Sequence, residues 1–200
     1  MLGLSKKGAT VVNLPEAEYT VLRQTIASRG TARLVLLPIV IVAWAALALV
    51  VLTFSEAPVA SLLPLAVLAG GFEAIHALHV GVERIGRYLQ VYYENPDHGP
   101  RWETVAMAVG PALPGGGIDP LFTVVFASVV FINIIPALTV VPRPTSTELG
   151  VIGVLHLFVV IRIVRARGAA ARQRAVELES FRALRTQIPN PKSETPIPDA

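Results

Sequence analysis

The chain has 200 residues, 53% of them hydrophobic and 16% charged, with a mean hydropathy of +0.60 and a formal net charge of +3. That balance excludes an ordinary soluble domain and points to an integral membrane protein. No cysteine is present, which excludes disulfides, zinc–thiolate sites, iron–sulfur clusters and thiol catalysis.

The first 30 residues hold no short apolar core followed by a small-residue cleavage site, so no removable signal peptide is expected. Residues 1–31 read instead as a cytosolic N-terminal helix. Asn13 is its cap, Pro15 lies in its first turn, Glu16 takes the capping-box position and Gly30 is its stop.

Residues 32–165 form a transmembrane domain with four predicted spans. The first, 34–54, is an uncharged run long enough to cross a hydrocarbon core of about 30 Å, with Pro38 in its opening turns. The second, 59–82, begins apolar and continues as a polar helix to Glu94. A cytosolic loop over 95–117 follows, in which Trp102 to Val109 can form two turns of helix at the inner interface. The third span, 118–141, opens with Asp119 as cap and Pro120 at the first helical position. The fourth, 149–164, is short, and Arg162 and Arg165 can snorkel to lengthen it. Beyond it, 166–188 is expected to continue as a cytosolic helix with Leu178, Phe181, Leu184 and Ile188 on one face. The Pro-rich stretch 189–200 has the composition of a disordered tail.

With the N-terminus inside, the two outer loops hold one basic residue, Arg143, and the other sixteen of the seventeen Lys and Arg fall on the cytosolic side or at its helix ends. The bias fixes an orientation with both termini cytoplasmic. The expected fold is therefore all-α, an integral membrane four-helix bundle, N-in and C-in, with cytosolic helical extensions at both ends. The arginine-rich, alanine-rich composition suggests a bacterial inner membrane.

The chemistry-bearing feature is a stripe on the second helix. At 100° per residue, Glu73, His76, His79, Glu83, Arg87, Gln90 and Glu94 fall within about 120° of one another. Beside it Ala66, Gly70, Ala74, Ala77 and Gly81 form a small-residue groove suited to close helix approach, so the stripe is expected to turn into the bundle. Asn133, deep in the third span, and His156 in the fourth are the polar groups available to it. If Glu83 and Arg162 mark the same inner boundary, His76 and His156 share a depth.

Three readings follow from the stripe. In the first, its polar groups are packing glue, Glu83 and Arg87 form an ordinary i, i+4 surface pair, and the protein is a non-enzymatic accessory or assembly subunit docking partners through its cytosolic helices. In the second, it is a cofactor subunit. Glu73, His76, His79 and His156 would hold a metal, or His76 or His79 would ligate a haem opposite His156, with haem b the cofactor to test first. A di-iron centre is excluded, because the single Glu73–His76 half-motif has no counterpart on another span. In the third, Glu73, His76, His79 and Glu83 relay protons or a cation. The expected partners are the lipid bilayer and either further copies of the chain or other membrane subunits. Nucleic acid is not expected, because juxtamembrane arginines normally serve as orientation anchors. Thr123 and Ser128 have no acid–base partner on their own helix, so a nucleophilic hydrolase is not supported.

Overall fold

A computed structural model of the chain describes residues 14–94, 101–109, 121–139 and 143–187, and every element among them is helical. Helix α1 runs Leu14–Phe54, and a 3-10 turn over Pro58–Ser61 leads into α2, Leu62–Tyr92. Then come α3 (Trp102–Val109), α4 (Thr123–Ile132), α5 (Ile135–Thr139) and α6 (Ser146–Gln187). Three of these helices, α1, α2 and α6, are long and apolar enough to cross a membrane. The expected cap at Asn13, the start of the third span at Asp119 and Pro120, and the tail 189–200 lie outside the described residues.

Gly30 does not end the first helix. α1 passes through it and through Pro38 without interruption, merging the predicted cytosolic helix with the predicted first span. An interior glycine costs a helix about 1 kcal/mol. The side chains on either side of Gly30 offset that cost by reaching α2: Arg29 lies over Gly81, and Arg33 bonds to His79. Pro38 consequently sits in mid-helix, not in the opening turns.

The third predicted span is likewise not a single helix. α4 and α5 are separated at Asn133 and Ile134, just before Pro136, which has no N–H to offer the carbonyl of Ile132. At its other end Phe122 adopts a left-handed φ of 51°, which sets both Leu121 and Phe122 into the core before α4 begins. The fourth helix starts earlier than expected, at Ser146, because Thr145 and Glu148 form a reciprocal capping box. The Glu148 carboxylate accepts from the Thr145 N–H at 2.8 Å, and Thr145 Oγ1 accepts from the Glu148 N–H at 3.3 Å.

The core sits where α2 meets α4 and α6. Leu65, Leu68, Phe72 and Ile75 recur at helical spacing on α2 and pack against Phe126 and Val130 of α4 and Ile163 and Ala166 of α6. Phe72 and Phe126 meet edge-on with centroids 5.4 Å apart. Outside this core the apolar half of the molecule is as hydrophobic as within. Val42, Leu49, Val124, Phe131, Val154 and Phe158 all point outward.

α1 and α2 are antiparallel and closest at Gly71, where a Cβ would overlap the methyl groups of Val40. Gly70, one position on, has no neighbour within 4 Å of such an atom. The two glycines should therefore respond with opposite signs. Gly71→Ala is expected to lower the thermal midpoint in detergent, at a cost of about 1–3 kcal/mol for overpacking. Gly70→Ala should raise it slightly, since alanine is the better helix former by about 1 kcal/mol.

Candidate functional site

The structure divides the polar stripe of α2 among three neighbouring helices. Glu73 bonds to Arg162 of α6 at 2.8 Å. His79 accepts from the Arg33 guanidinium of α1 at 3.1 Å through Nδ1, which places its own proton on Nε2. Glu83 accepts from Arg174 of α6 at 2.7 Å and from Arg87 at 3.2 Å. Gln90 and Glu94 face α3. Gln90 donates to Thr104 Oγ1, and the Glu94 carboxylate accepts from the Glu103 and Thr104 N–H groups, closing that helix's N-terminus.

The stripe is also not uniformly buried. His79 and Arg87 are enclosed, whereas the Glu73 side chain is 48% exposed and Arg162 37%. The neighbouring small residues Ala66, Gly70, Ala74 and Ala77 face outward as well, so the groove they form is open, and the close approach of α1 occurs at Gly71 and Gly81 instead.

The expectation that Glu83 and Arg162 share a level is overturned by these pairs. α2 and α6 run parallel, with Glu73 level with Arg162 and Glu83 level with Arg174. His156, six residues above Arg162, and His76, three residues below Glu73, are thus about 14 Å apart along the bundle axis. His156 joins neither His76 nor His79. Among the described residues no three His, Asp or Glu side chains gather as a metal-ion site, so Glu73, His76, His79 and His156 do not form one ligand set.

His156 belongs to a different cluster, built on Asn133 at the break between α4 and α5. Asn133 is fully buried and His156 is 2% exposed. Trp44 Nε1 of α1 donates to Asn133 Oδ1 at 2.9 Å. Asn133 Nδ2 donates to the Ser61 carbonyl at 2.9 Å and to His156 Nε2 at 3.0 Å. His156 Nδ1 lies 2.8 Å from the Ile152 carbonyl, which can only accept, so Nδ1 carries the proton and Nε2 is the acceptor. Trp44 is donor only and the Ser61 carbonyl acceptor only, which fixes the amide orientation. Each of the four groups is satisfied, and both imidazole nitrogens are in use. One asparagine therefore ties together α1, the start of α2, the α4–α5 break and α6.

At the charged end the helices are clamped by a second network. Glu177 of α6 accepts from Arg84 at 2.9 Å, from Arg87 at 2.6 Å and from Gln173 at 2.7 Å. Arg87, 3% exposed, is held between Glu177 and Glu83, so its pair with Glu83 is not the surface bridge expected from i, i+4 spacing. Burial opposes ionisation of Glu177, but the hydrogen bonds from Arg84, Arg87 and Gln173 hold its carboxyl below the usual carboxylate range. Arg185 caps α2 by donating to the Val91 carbonyl. Glu103 of α3 meets Arg23 of α1 at 2.7 Å. Burial raises the Glu103 carboxyl, against the attraction of that guanidinium.

All four tyrosines, Tyr19, Tyr88, Tyr92 and Tyr93, lie in this charged half. Tyr88 donates to Glu18 at 2.8 Å, and burial together with that bond pushes its phenol up to about 12 from 10.0, with Tyr93 moved in the same direction by burial and Glu18. A raised phenol stabilises the docked state fully below its unfolded value, and that contribution is lost as pH rises through the folded one. Alkaline titration at 295 nm should therefore leave part of the tyrosinate absorbance unformed until near pH 12, and Glu18→Ala should bring that component down. A single transition with its midpoint near pH 10 for all four tyrosines of the intact protein would contradict the docking.

Sequence reasoning found the stripe and Asn133 but missed Glu177 and Trp44. The signal for Glu177 was present: Gln173, Glu177, Phe181 and Arg185 recur every four residues on the face of α6 that meets α2. No family model, no curated protein and no solved structure matches the chain.

Proposed function

We propose that the protein is a non-enzymatic, multi-pass inner-membrane protein, an accessory or assembly subunit that docks partner proteins through cytosolic helices. α1, α2 and α6 supply three crossings, and the interrupted pair α4–α5 supplies the fourth. Both termini then lie on the cytoplasmic side, in agreement with two outer loops that hold one of the seventeen Lys and Arg, Arg143.

The single observation that carries this reading is how far the long helices continue past their apolar halves. α6 goes on to Gln187, α2 to Tyr92, and α1 begins at Leu14; the Glu177 and Glu83 ion pairs join α6 to α2 there, and α1 is held to α2 by the Tyr88–Glu18 bond and to α3 by the Arg23–Glu103 pair. A clamped helical platform beyond the membrane is suited to holding another protein. It still presents Val21 and Val176, 59% and 63% exposed, where an aqueous surface would favour polar groups. Inside the bundle the Asn133 and His79 bonds join helix to helix, which is the work of polar glue.

The test is isolation of the tagged full-length chain from its own membranes in mild detergent, beside the Val21→Glu and Val176→Glu variants. A stoichiometric partner lost from the variants but kept by Val42→Ala is the expected outcome. A solitary chain in native extraction would overturn the reading.

A further inference from the structure

The outward face of α2 holds an ion pair in an unfavourable place. Glu73 lies two residues from Gly71, which packs on Val40 within the uncharged run of α1. It stands six residues, about 9 Å, above the level of the Arg33–His79 bond. Given the membrane-spanning reading above, on which this inference rests, Glu73 and Arg162 therefore face hydrocarbon with 48% and 37% of their side-chain surface. Charged side chains at that depth normally face protein or a water-filled cavity. The bond between them uses one carboxylate oxygen and one guanidinium nitrogen.

On the α2 side of the pair the surface is low. Between Ala66 and Ala77 the outward positions of α2 are Ala66, Gly70, Glu73, Ala74 and Ala77, so nothing but Glu73 projects beyond a methyl group. A second helix can approach such a face closely. The charges indicate which one. Glu73 and Arg162 are at a single depth, and a two-fold axis along the membrane normal preserves depth. A second copy turned about that axis would bring its Arg162 to the first copy's Glu73 and its Glu73 to the first copy's Arg162. The face is thus complementary to itself, as an isologous interface requires.

We infer that two copies of the chain associate through this face, with the Glu73 and Arg162 side chains of both closing a ring of four alternating charges. The absence of native cysteine makes the test clean, since any engineered thiol is the one thiol of its chain. In native membranes, Ala74→Cys should be joined into a dimer by a short bis-maleimide at least tenfold more efficiently than Val42→Cys, on the outward face of α1. In the Ala74→Cys background, Glu73→Gln and Arg162→Gln should each lower that yield several-fold. When the two variants are co-expressed with different tags, each mixed dimer regains one Glu73–Arg162 pair across the interface. The mixed band should then exceed either like-with-like band several-fold. Gly70→Leu, at a position where an added Cβ has nothing of its own chain within 4 Å, should also abolish the dimer without loss of folded protein. Monomer alone, cross-linking to a different chain, or mixed and like-with-like bands of equal strength would each overturn the proposal. Alkaline carbonate extraction of the same membranes separates the two premises. Release of the chain defeats the membrane reading and this inference with it, whereas retention without cross-linking defeats the dimer alone.

Discussion

Asn133→Leu is expected to be the most damaging single substitution in the apolar half, lowering stability by about 2–4 kcal/mol. Leucine has the same number and branching of side-chain heavy atoms as asparagine, so the lost hydrogen bonds dominate the cost and its bulkier methyl groups add to it. The change removes three bonds, to the Trp44 N–H, the Ser61 carbonyl and His156 Nε2, each contributed by a different element. A stranded buried group costs about 1–3 kcal/mol in soluble proteins, while interhelical bonds in a bilayer average about 0.6 and reach about 1.7 kcal/mol. Three bonds on the lower scale span about 2–5 kcal/mol, and the range stated is its lower part, since the maximum is not reached at all three. For a chain of this length that corresponds to a fall of roughly 5–15 °C in the thermal midpoint. Trp44→Phe removes one of the three bonds and should cost about a third as much. In a Trp102→Phe background, Trp44 is the one remaining tryptophan, and its emission should shift in Asn133→Leu because the indole loses its acceptor. A midpoint within about 1 °C of the parent would show that the cluster is not a structural tie.

That cluster also shows what kind of information a sequence carries. Hydropathy and period locate the helices, because a 21-residue uncharged run or a 3.6-residue repeat is a local property. The depth of Asn133 and the weakness at Pro136 are local in the same sense, and the break between α4 and α5 falls there. The continuity of α1 through Gly30 was not legible, since it depends on Arg29 and Arg33 finding α2 on either side of a residue that locally favours a stop. Least legible was axial shift. Placing Glu83 level with Arg162 and placing Glu73 there differ by ten residues, about 15 Å, yet leave every periodicity unchanged. The choice is made by the packing of Phe72 and Ile75 against Ile163 and Ala166. With that shift known, the three histidines separate into different neighbourhoods: His79 beside Arg33, His156 beside Asn133, and His76 stacked on Phe72.

The charged half should fail independently, at Glu177. Glu177→Gln leaves the guanidinium of Arg87, 3% exposed, with Glu83, which also serves Arg174. Removing one member of a buried ion pair costs about 3–5 kcal/mol, and the partial exposure of Glu177 places this case near the lower end. Hydrogen exchange should accelerate in the last three turns of α6 and of α2 while the Trp44 emission stays unchanged, since the Asn133 cluster is remote from the lesion. Replacing the pair together, as Arg87→Met with Glu177→Leu, should cost less than Glu177→Gln alone, because no buried charge is left uncompensated. The pH dependence has a definite sign. The folded Glu177 carboxyl lies below its ordinary value of 4.5, so its contribution is fully present above that value and is lost as pH falls through the folded one. The stability difference between the parent and Glu177→Gln should be flat from neutral pH down to about 4.5 and then shrink as acid protonates the parent's carboxylate. A difference that instead began to shrink near pH 6–7 would mean that a histidine, and not this carboxylate, governs the docking of the platform.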